Sequence, residues 1–312
     1  MILESVSSQW KDYRLIDSGN FEKLERFGKY VVRRPEPKAL WNRSMSEQEW
    51  TRLQDTRFET GAGFGKAGKE DSGTWHNKGR MPEQWEISYS SPDSEKLRFS
   101  LRLGLTSFKH VGVFPEQAPN WEFIFRQTSD IVAGRRNAGD SSPVKVLNLF
   151  AYTGAASLAA KCAGADVTHL DSVRQVVTWA KDNMYRSGLD NIRWVIEDAL
   201  KFARREAKRG NKYQGIILDP PAYGHGPDGE KWKLDDLLFE MMENVSSILD
   251  RNRSFLLLNL YSNGYSAVLA DTIVREALHL GNGRAAVDYG ELVLTDDFGK
   301  NLPLSVFSRV VI

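Results

Sequence analysis

One stretch limits the architectures open to this chain: KVLNLFAYTGAASLAAKCAGADVTHLD, residues 145–171. Residues 144–150 form a short apolar run before a glycine-containing turn, and residues 155–163 are small and helix-prone. That order predicts strand, tight turn, helix. A second apolar run, residues 165–170, closes on Asp171, about twenty residues past the turn, where a nucleotide-binding βαβ crossover places an acidic side chain to hold ribose hydroxyls. Gly154 lets the backbone of the turn approach a ligand closely.

The turn is also informative for what it lacks. A dinucleotide site presents G-x-G-x-x-G to a pyrophosphate, whereas here Phe150, Ala151, Tyr152 and Thr153 precede a single glycine, and Ala155 and Ala156 follow it. One glycine beside an aromatic and a hydroxyl suits a zwitterionic amino-acid tail rather than a phosphate. With an aspartate for a ribose, S-adenosylmethionine (SAM) becomes the natural cofactor. A βαβ crossover that binds nothing remains the alternative at this point.

The chain has 312 residues, 41% hydrophobic and 27% charged, enough for one large soluble domain and a smaller one. A net charge of +1 gives no whole-molecule cationic field, so charge does not decide the substrate. No basic stretch followed by an apolar core opens the sequence, and no apolar run approaches the length of a membrane span, so a cytoplasmic protein without a membrane partner is expected. The lone cysteine, Cys162, excludes an internal disulfide and a cysteine-based zinc site, and the five histidines show no ligand spacing.

Residues 1–120 read as a small β-rich domain with a possible part in substrate recognition, and residues 121–312 as the SAM-binding domain. In the first part, residues 13–18, 30–34, 84–89 and 96–103 are short runs with partial alternation, and helical periodicity is confined to residues 46–58. Residues 60–80 are too rich in glycine and lysine for a packed core. Lys66, Lys69, Lys78 and Arg80, with Phe64 and Trp75 between them, form either a grip on a nucleic-acid backbone or a solvated loop. Arg33, Arg34, Lys38 and Arg43, with Trp41, pose the same choice. Residues 105–123 join the two parts: Asn120 is expected to cap a helix over residues 121–132, and Phe114, Glu116 and Gln117 to form a lid on the cofactor.

Beyond Asp171, helices and strands alternate to about residue 278, after which three short strands follow without a helix between them. The expected fold is therefore α/β, a Rossmann-like, mostly parallel sheet ending in an antiparallel hairpin, with ligands outside the carboxyl ends of the strands. Two of those ends stand out. Asp198, before Ala199, is placed to accept from an adenine amino group or simply to cap the next helix. Asp219-Pro220-Pro221-Ala222-Tyr223-Gly224 combines an acid, two prolines that fix the backbone and present carbonyls, and an aromatic face for a flipped base. Asp219, Pro220, Pro221 and Tyr223 are the candidate catalytic set.

Together, FAYTG, the aspartate ending the second strand, EDA after the third and DPPAYG after the fourth resemble the class I SAM-dependent methyltransferases, and more narrowly the bacterial rRNA large-subunit methyltransferase I-like group. The resemblance covers residues 108–312 well and the first hundred residues loosely; no PUA-type RNA-binding domain is recognisable there. It implies that Tyr152, Thr153 and Gly154 meet the methionine end of SAM, Asp171 the ribose, and Asp198 and Ala199 the adenine, with Asp219 and Pro220 lining the methyl-transfer pocket. The segment HVGVFPEQ is similar to that group's KTG-x-x-x-DQ, which places Gln117 with the cofactor.

Methyl transfer from a sulfonium needs an aligned nucleophile and no metal. Carbon 5 of a pyrimidine is the exception, because a thiolate must first add to the ring. Cys162 lies in a helix flanking the sheet, and residues 259–264, where relatives carry such a cysteine, have none. A nitrogen or oxygen of an RNA base, in rRNA, is the favoured acceptor. The alternatives are a cytosine-5 methyltransferase as in relatives, an oxidoreductase on a Rossmann sheet, and a catalytically silent RNA-binding module.

Overall fold

The computed structural model describes residues 1–62, 72–79, 81–261, 264–281 and 285–312. In chain order the N-terminal part holds β1 (Ile2–Ser5), β2 (Tyr13–Gly19), β3 (Glu22–Phe27), β4 (Tyr30–Pro35), α1 (Glu47–Leu53), β5 (Thr56–Thr60), β6 (Gly73–Asn77), β7 (Gln84–Ser90) and β8 (Arg98–Gly104). A 3-10 turn, Pro115–Gln117, leads into α2 (Ala118–Asn137). The alternating part follows: β9 (Lys145–Leu149), α3 (Ala155–Cys162), β10 (Asp166–Asp171), α4 (Arg174–Arg186), β11 (Ile192–Ile196), α5 (Ala199–Arg209) and β12 (Gly215–Leu218). The chain ends with β13 (Tyr223–His225), β14 (Lys231–Lys233), α6 (Leu234–Ile248), β15 (Phe255–Leu260), α7 (Ala267–Leu278), β16 (Ala286–Thr295) and β17 (Asn301–Val311).

Eight strands form the main sheet in the order β1-β16-β17-β15-β12-β9-β10-β11. All pairs from β15 to β11 are parallel, while β17 runs antiparallel to β15 and β16. The central strands are buried on both faces, β12 at all four positions and β15 at all six, as parallel strands covered by helices must be. From β9 the chain winds one way through β10 and β11, then crosses back to β12 and β15. The switch point therefore falls between β9 and β12, where an open sheet leaves a crevice at its carboxyl ends.

The N-terminal strands form a five-stranded sheet, β2-β3-β4-β5-β6, and a separate hairpin, β7-β8. The hairpin lies on α4: Arg102 N–H donates to Asn183 Oδ1 at 2.8 Å, and the Trp179 indole donates to Arg102 O at 2.8 Å. Trp10, Tyr89 and Phe99 pack around Trp121 of α2 with centroids 5.1–5.8 Å apart. One apolar core thus runs from the first strands into the α/β part. The sequence boundary at residue 120 is also crossed by β1, which pairs in parallel with β16.

Several expectations are corrected by this arrangement. Asn120 caps nothing: α2 begins at Ala118, and the buried Asn120 donates to Gln117 Oε1 at 2.7 Å and accepts from Arg309 at 2.7 and 3.0 Å. The helical stretch 46–58 is α1 followed by β5, with Ser46 closing a capping box on Glu49. The three terminal strands are two long ones. Gly290 interrupts the apolar pattern of β16 because a Cβ there would lie 1.8 Å from Ile2 O of β1. Pro303 lies in β17 before the stretch that pairs with β15, where its missing N–H is tolerated.

The basic cluster of the N-terminal part is no exposed grip. Arg33 and Arg34 are buried, Arg33 in ion pairs with Glu22 and Glu47, Arg34 with Glu25 at 2.6 and 3.0 Å. Arg43 also bonds Glu22 and Glu47 and lies over the Trp50 ring. Lys38 donates to Leu304 O at 2.7 Å, and the Trp41 indole donates to Ser18 O at 3.0 Å. Of the glycine-rich loop, Phe64, Lys66, Lys69 and Arg80 lie outside the described residues, and Trp75 packs on Phe58 at 4.9 Å.

Candidate active site

The turn after β9 has an unusual backbone. Phe150, Tyr152 and Gly154 all adopt positive φ, at 57°, 50° and 94°. For a non-glycine residue the left-handed region costs about 1–2 kcal/mol, so two such residues in a row of five require outside support. Asp171 supplies some of it from the end of β10: Oδ2 accepts the Tyr152 N–H at 3.0 Å and Oδ1 the Val173 N–H at 3.0 Å. Burial pushes the Asp171 carboxyl up, and those two N–H groups pull it back. Thr153 donates its hydroxyl to Gly112 O at 2.7 Å, and the fully buried Asn183 donates to Thr153 O at 2.9 Å. A Cβ on Gly154 would stand 3.1 Å from Ala180 Cβ, so the turn seats itself against α4.

Beneath the turn, Asn148 of β9 donates to Ser157 Oγ at 2.9 Å, and Ser157 meets His169 Nδ1 at 3.0 Å. His169 is fully buried, which drives its imidazole down to about 3. It is therefore a neutral packing and hydrogen-bonding group at ordinary pH.

A cleft opens at the switch point. Its walls include Phe150, Tyr152, Thr153 and Gly154 of the turn, Gln117 and Phe114 before α2, and Asp219 after β12. Six of the residues expected from sequence thus meet in one place: Phe150, Tyr152, Thr153, Gly154, Gln117 and Asp219. Asp171 braces the turn from behind. Asp198 and Ala199 stand at the end of β11, away from the cleft walls, where Asp198 accepts the Lys201 N–H at 2.8 Å and caps α5. Glu116 is not a lid; it is buried at 2% exposure, while its neighbour Phe114 packs against Tyr152 at 5.3 Å and Tyr261 at 5.8 Å.

Asp219 is half-buried with no cation beside it among the described residues, and its desolvation raises the carboxyl to about 6, although Asn259 of β15 donates to Oδ1 at 2.7 Å. The two prolines shape the loop, but part of its carbonyl set is already taken. Pro221 O accepts the Trp232 indole at 2.7 Å and Ala222 O the Leu234 N–H at 2.9 Å. Tyr223 is 54% exposed and stands outside the cleft walls. Trp232 is buried in β14, and its ring meets Phe150 at 4.9 Å, which ties the loop after β12 to the turn after β9.

Asn259, Trp232 and Asn183 are site residues whose roles the sequence left open. Their partners lie 11 to 81 residues away, so no local spacing marks them. Cys162 ends α3 half-buried, its thiol 3.4 Å from Arg98 O and pushed up by burial. Among the described residues there is no cluster of His, Cys, Asp and Glu fit to hold a metal, and no helix is long and apolar enough to cross a membrane.

The set fits SAM. The tight turn lines the cleft with an aromatic, a hydroxyl-bearing residue and a glycine, as suits an amino-acid tail, and the Asp171 carboxylate has lone pairs beyond its two N–H bonds for ribose hydroxyls. Residues 136–228 match the family described as Conserved hypothetical protein 95. The chain is 29% identical over 171 residues to ribosomal RNA large subunit methyltransferase K/L of Shewanella frigidimarina, covering 53% of this chain and 22% of that protein. It is 32% identical over 104 residues to ribosomal RNA large subunit methyltransferase I of Klebsiella pneumoniae, covering 32% of this chain and 25% of that protein. The chain thus spans about a quarter or less of these curated relatives. The crystal structure of a SAM-dependent methyltransferase from Agrobacterium tumefaciens superposes with a TM-score of 0.84 at 36% identity, over 99% of this chain and 93% of that one. With the mostly parallel sheet, its antiparallel hairpin and the turn at the switch point, that agreement over nearly the whole length means that the chain belongs to the class I SAM-dependent methyltransferases.

Proposed function

We propose that this methyltransferase acts on a base of RNA, in ribosomal RNA, at a nitrogen or other nucleophilic atom set against Asp219 by the loop 219–223. The observation that carries the reading is the cleft itself: the Asp219 carboxylate in its wall, with the rings of Phe114 and Tyr152 lining it and Tyr261 packed on Phe114. Flat rings around a deep acceptor suit a base removed from its stack. The names of the relatives that match residues of this chain support rRNA as its source.

In this reading Tyr152, Thr153 and Gly154 hold the methionine end of SAM and Asp171 the ribose, with the adenine reaching beyond the cleft walls to Asp198 and Ala199 at the start of α5. The bound cofactor supplies a methyl group on a sulfonium, open to in-line displacement. The protein's part is alignment: the turn fixes one partner, and the rigid Asp-Pro-Pro corner the other. Addition of a thiolate to cytosine has no support here, since Cys162, the single cysteine, hydrogen-bonds Arg98 O at the end of α3 and takes no part in the cleft walls.

Calorimetric titration with SAM, repeated on Asp171→Ala, tests the cofactor half. Binding that weakens tenfold or more, about 1.4 kcal/mol, is expected. Transfer of tritiated methyl to undermethylated rRNA tests the acceptor half. Label entering protein or small molecules with none in RNA overturns the RNA reading, and 5-methylcytosine made by Cys162→Ala overturns the choice of a nitrogen or oxygen acceptor.

A further inference from the structure

Lys38 differs from the cations around it. Lys23, Arg33, Arg34 and Arg43 all pair with glutamates, whereas Lys38 has no ion pair among the described residues. It is half-buried, donates to Leu304 O at 2.7 Å and holds its ammonium over the Tyr261 ring, 5.3 Å from the centroid. An ammonium carries three N–H donors, so one carbonyl and one ring leave it capacity for an anion. Burial pushes that ammonium down, and Glu36 and Glu116 pull it back up. A charge drawn partly out of water gains most from a partner brought to it.

Tyr261 is the outer member of a strip of rings that starts in the cleft. Tyr152 of the turn packs on Phe114 at 5.3 Å, and Phe114 meets Tyr261 at 5.8 Å and His110 at 5.0 Å. The planes are tilted by 52–58°, so no ring lies flat against the next. All four rings and Lys38 are half-buried, and each keeps part of its surface in solvent. Phe114 and Tyr152 line the cleft, while His110, Tyr261 and Lys38 stand beyond its walls. Lys38, from the segment after β4, is the point at which the N-terminal part reaches this strip.

We propose that an unpaired segment of RNA lies along this strip, with the bases beside the target on the rings of Tyr261 and His110 and a backbone phosphate on Lys38. The inference rests on the reading that a base of RNA enters the cleft, and it narrows the substrate to a single-stranded stretch. In a duplex the faces of the bases are closed by their neighbours in the stack, and unpaired nucleotides offer them to aromatic side chains. The other cations of the N-terminal cluster are taken up by carboxylates. Stacking beside one fixed charge therefore holds the strand, in place of a broad cationic field, which agrees with a net charge of +1.

The test uses the whole protein with S-adenosylhomocysteine present and a short RNA of mixed sequence, either single-stranded or annealed to its complement. The parent is expected to bind the single strand about tenfold or more above the duplex. Lys38→Met keeps the stem and removes the charge. Its affinity for the strand should fall about threefold or more, and the slope of log K against log salt should shrink by about 0.7, the share of one phosphate. Lys38→Arg keeps the charge and should hold the parent's slope, and SAM affinity should stay within about threefold in both variants. Tyr261→Ala should weaken the strand about fivefold or more while Tyr261→Phe binds like the parent; this pair decides the matter if Lys38→Met fails to fold. The proposal is overturned by equal binding of strand and duplex, by a salt slope that Lys38→Met leaves unchanged or Lys38→Arg also loses, by a tenfold loss of SAM binding in Lys38→Met, or by unchanged strand binding in Tyr261→Ala. Each of these leaves the RNA reading standing where the parent labels RNA. Absence of label in any RNA overturns the RNA reading and this inference with it.

Discussion

Replacing Glu116 by glutamine should make the protein more stable at high pH. The side chain is buried at 2% exposure beside Lys23, Arg34 and Glu25, in the 3-10 turn that carries Phe114 and Gln117 to the cleft. Burial dominates the nearby cations, and the carboxyl rises from 4.5 to about 7. A carboxyl raised in the folded state is favoured while protonated, so its contribution is fully present below pH 4.5 and is lost as the pH rises through about 7. At about 1.4 kcal/mol per pH unit, that interval corresponds to roughly 3 kcal/mol. Glutamine keeps the shape and never ionises. Urea denaturation of both proteins at pH 4.5 and pH 8 isolates the effect, because every other titrating group cancels in the difference. The variant should match the parent to within about 1 kcal/mol in acid and exceed it by about 3 kcal/mol at pH 8. Parallel stability profiles would refute the reasoning. SAM affinity should not change, since the carboxyl takes no part in the cleft walls.

Arg34→Met should cost about 3–5 kcal/mol in chemical denaturation, because it takes the paired guanidinium from the buried Glu25 and leaves it Lys23 at 3.8 Å and the Tyr13 hydroxyl at 2.9 Å; a loss of under 1 kcal/mol would mean that the pair is hydrated. Asn183→Leu orphans the buried Arg102 N–H and Thr153 O, for about 2–4 kcal/mol, and should weaken SAM through the turn at Thr153; calorimetry and denaturation on one preparation check both. If Asp219 takes up the proton, kcat/KM should rise with pH through about 6 rather than near 3.8, and Asp219→Asn should abolish turnover. An acid limb near pH 4 would show that the carboxyl is hydrated.

The α/β half was legible because its signals are local. The apolar runs before Phe150 and Asp171, the glycine between them and the Asp-Pro-Pro corner each state their structure within a few residues. The N-terminal part was less so. Arg33, Arg34 and Arg43 look like a surface patch in one dimension, since the carboxylates that neutralise them, Glu22, Glu25 and Glu47, acquire their meaning only when β3, β4 and α1 meet. Gly290 and Pro303 read as breaks because the reason each is tolerated lies on another strand. Asn259 looked like a loop residue because nothing near it in sequence reveals the carboxylate forty positions earlier.

The pairing of β1 with β16, residue 2 against 290 and residue 5 against 293, bears on how the molecule is assembled. Strand β1 meets its partner only after all the strands and helices between them have emerged, and such distant contacts close late. Until then the outer edge of β16 is an open row of N–H and C=O groups, a template for strands of other chains. Four residues, clamped by Glu4 to Arg309, close that edge last. Removing them should leave the cleft intact and cost the protein its resistance to self-association during folding.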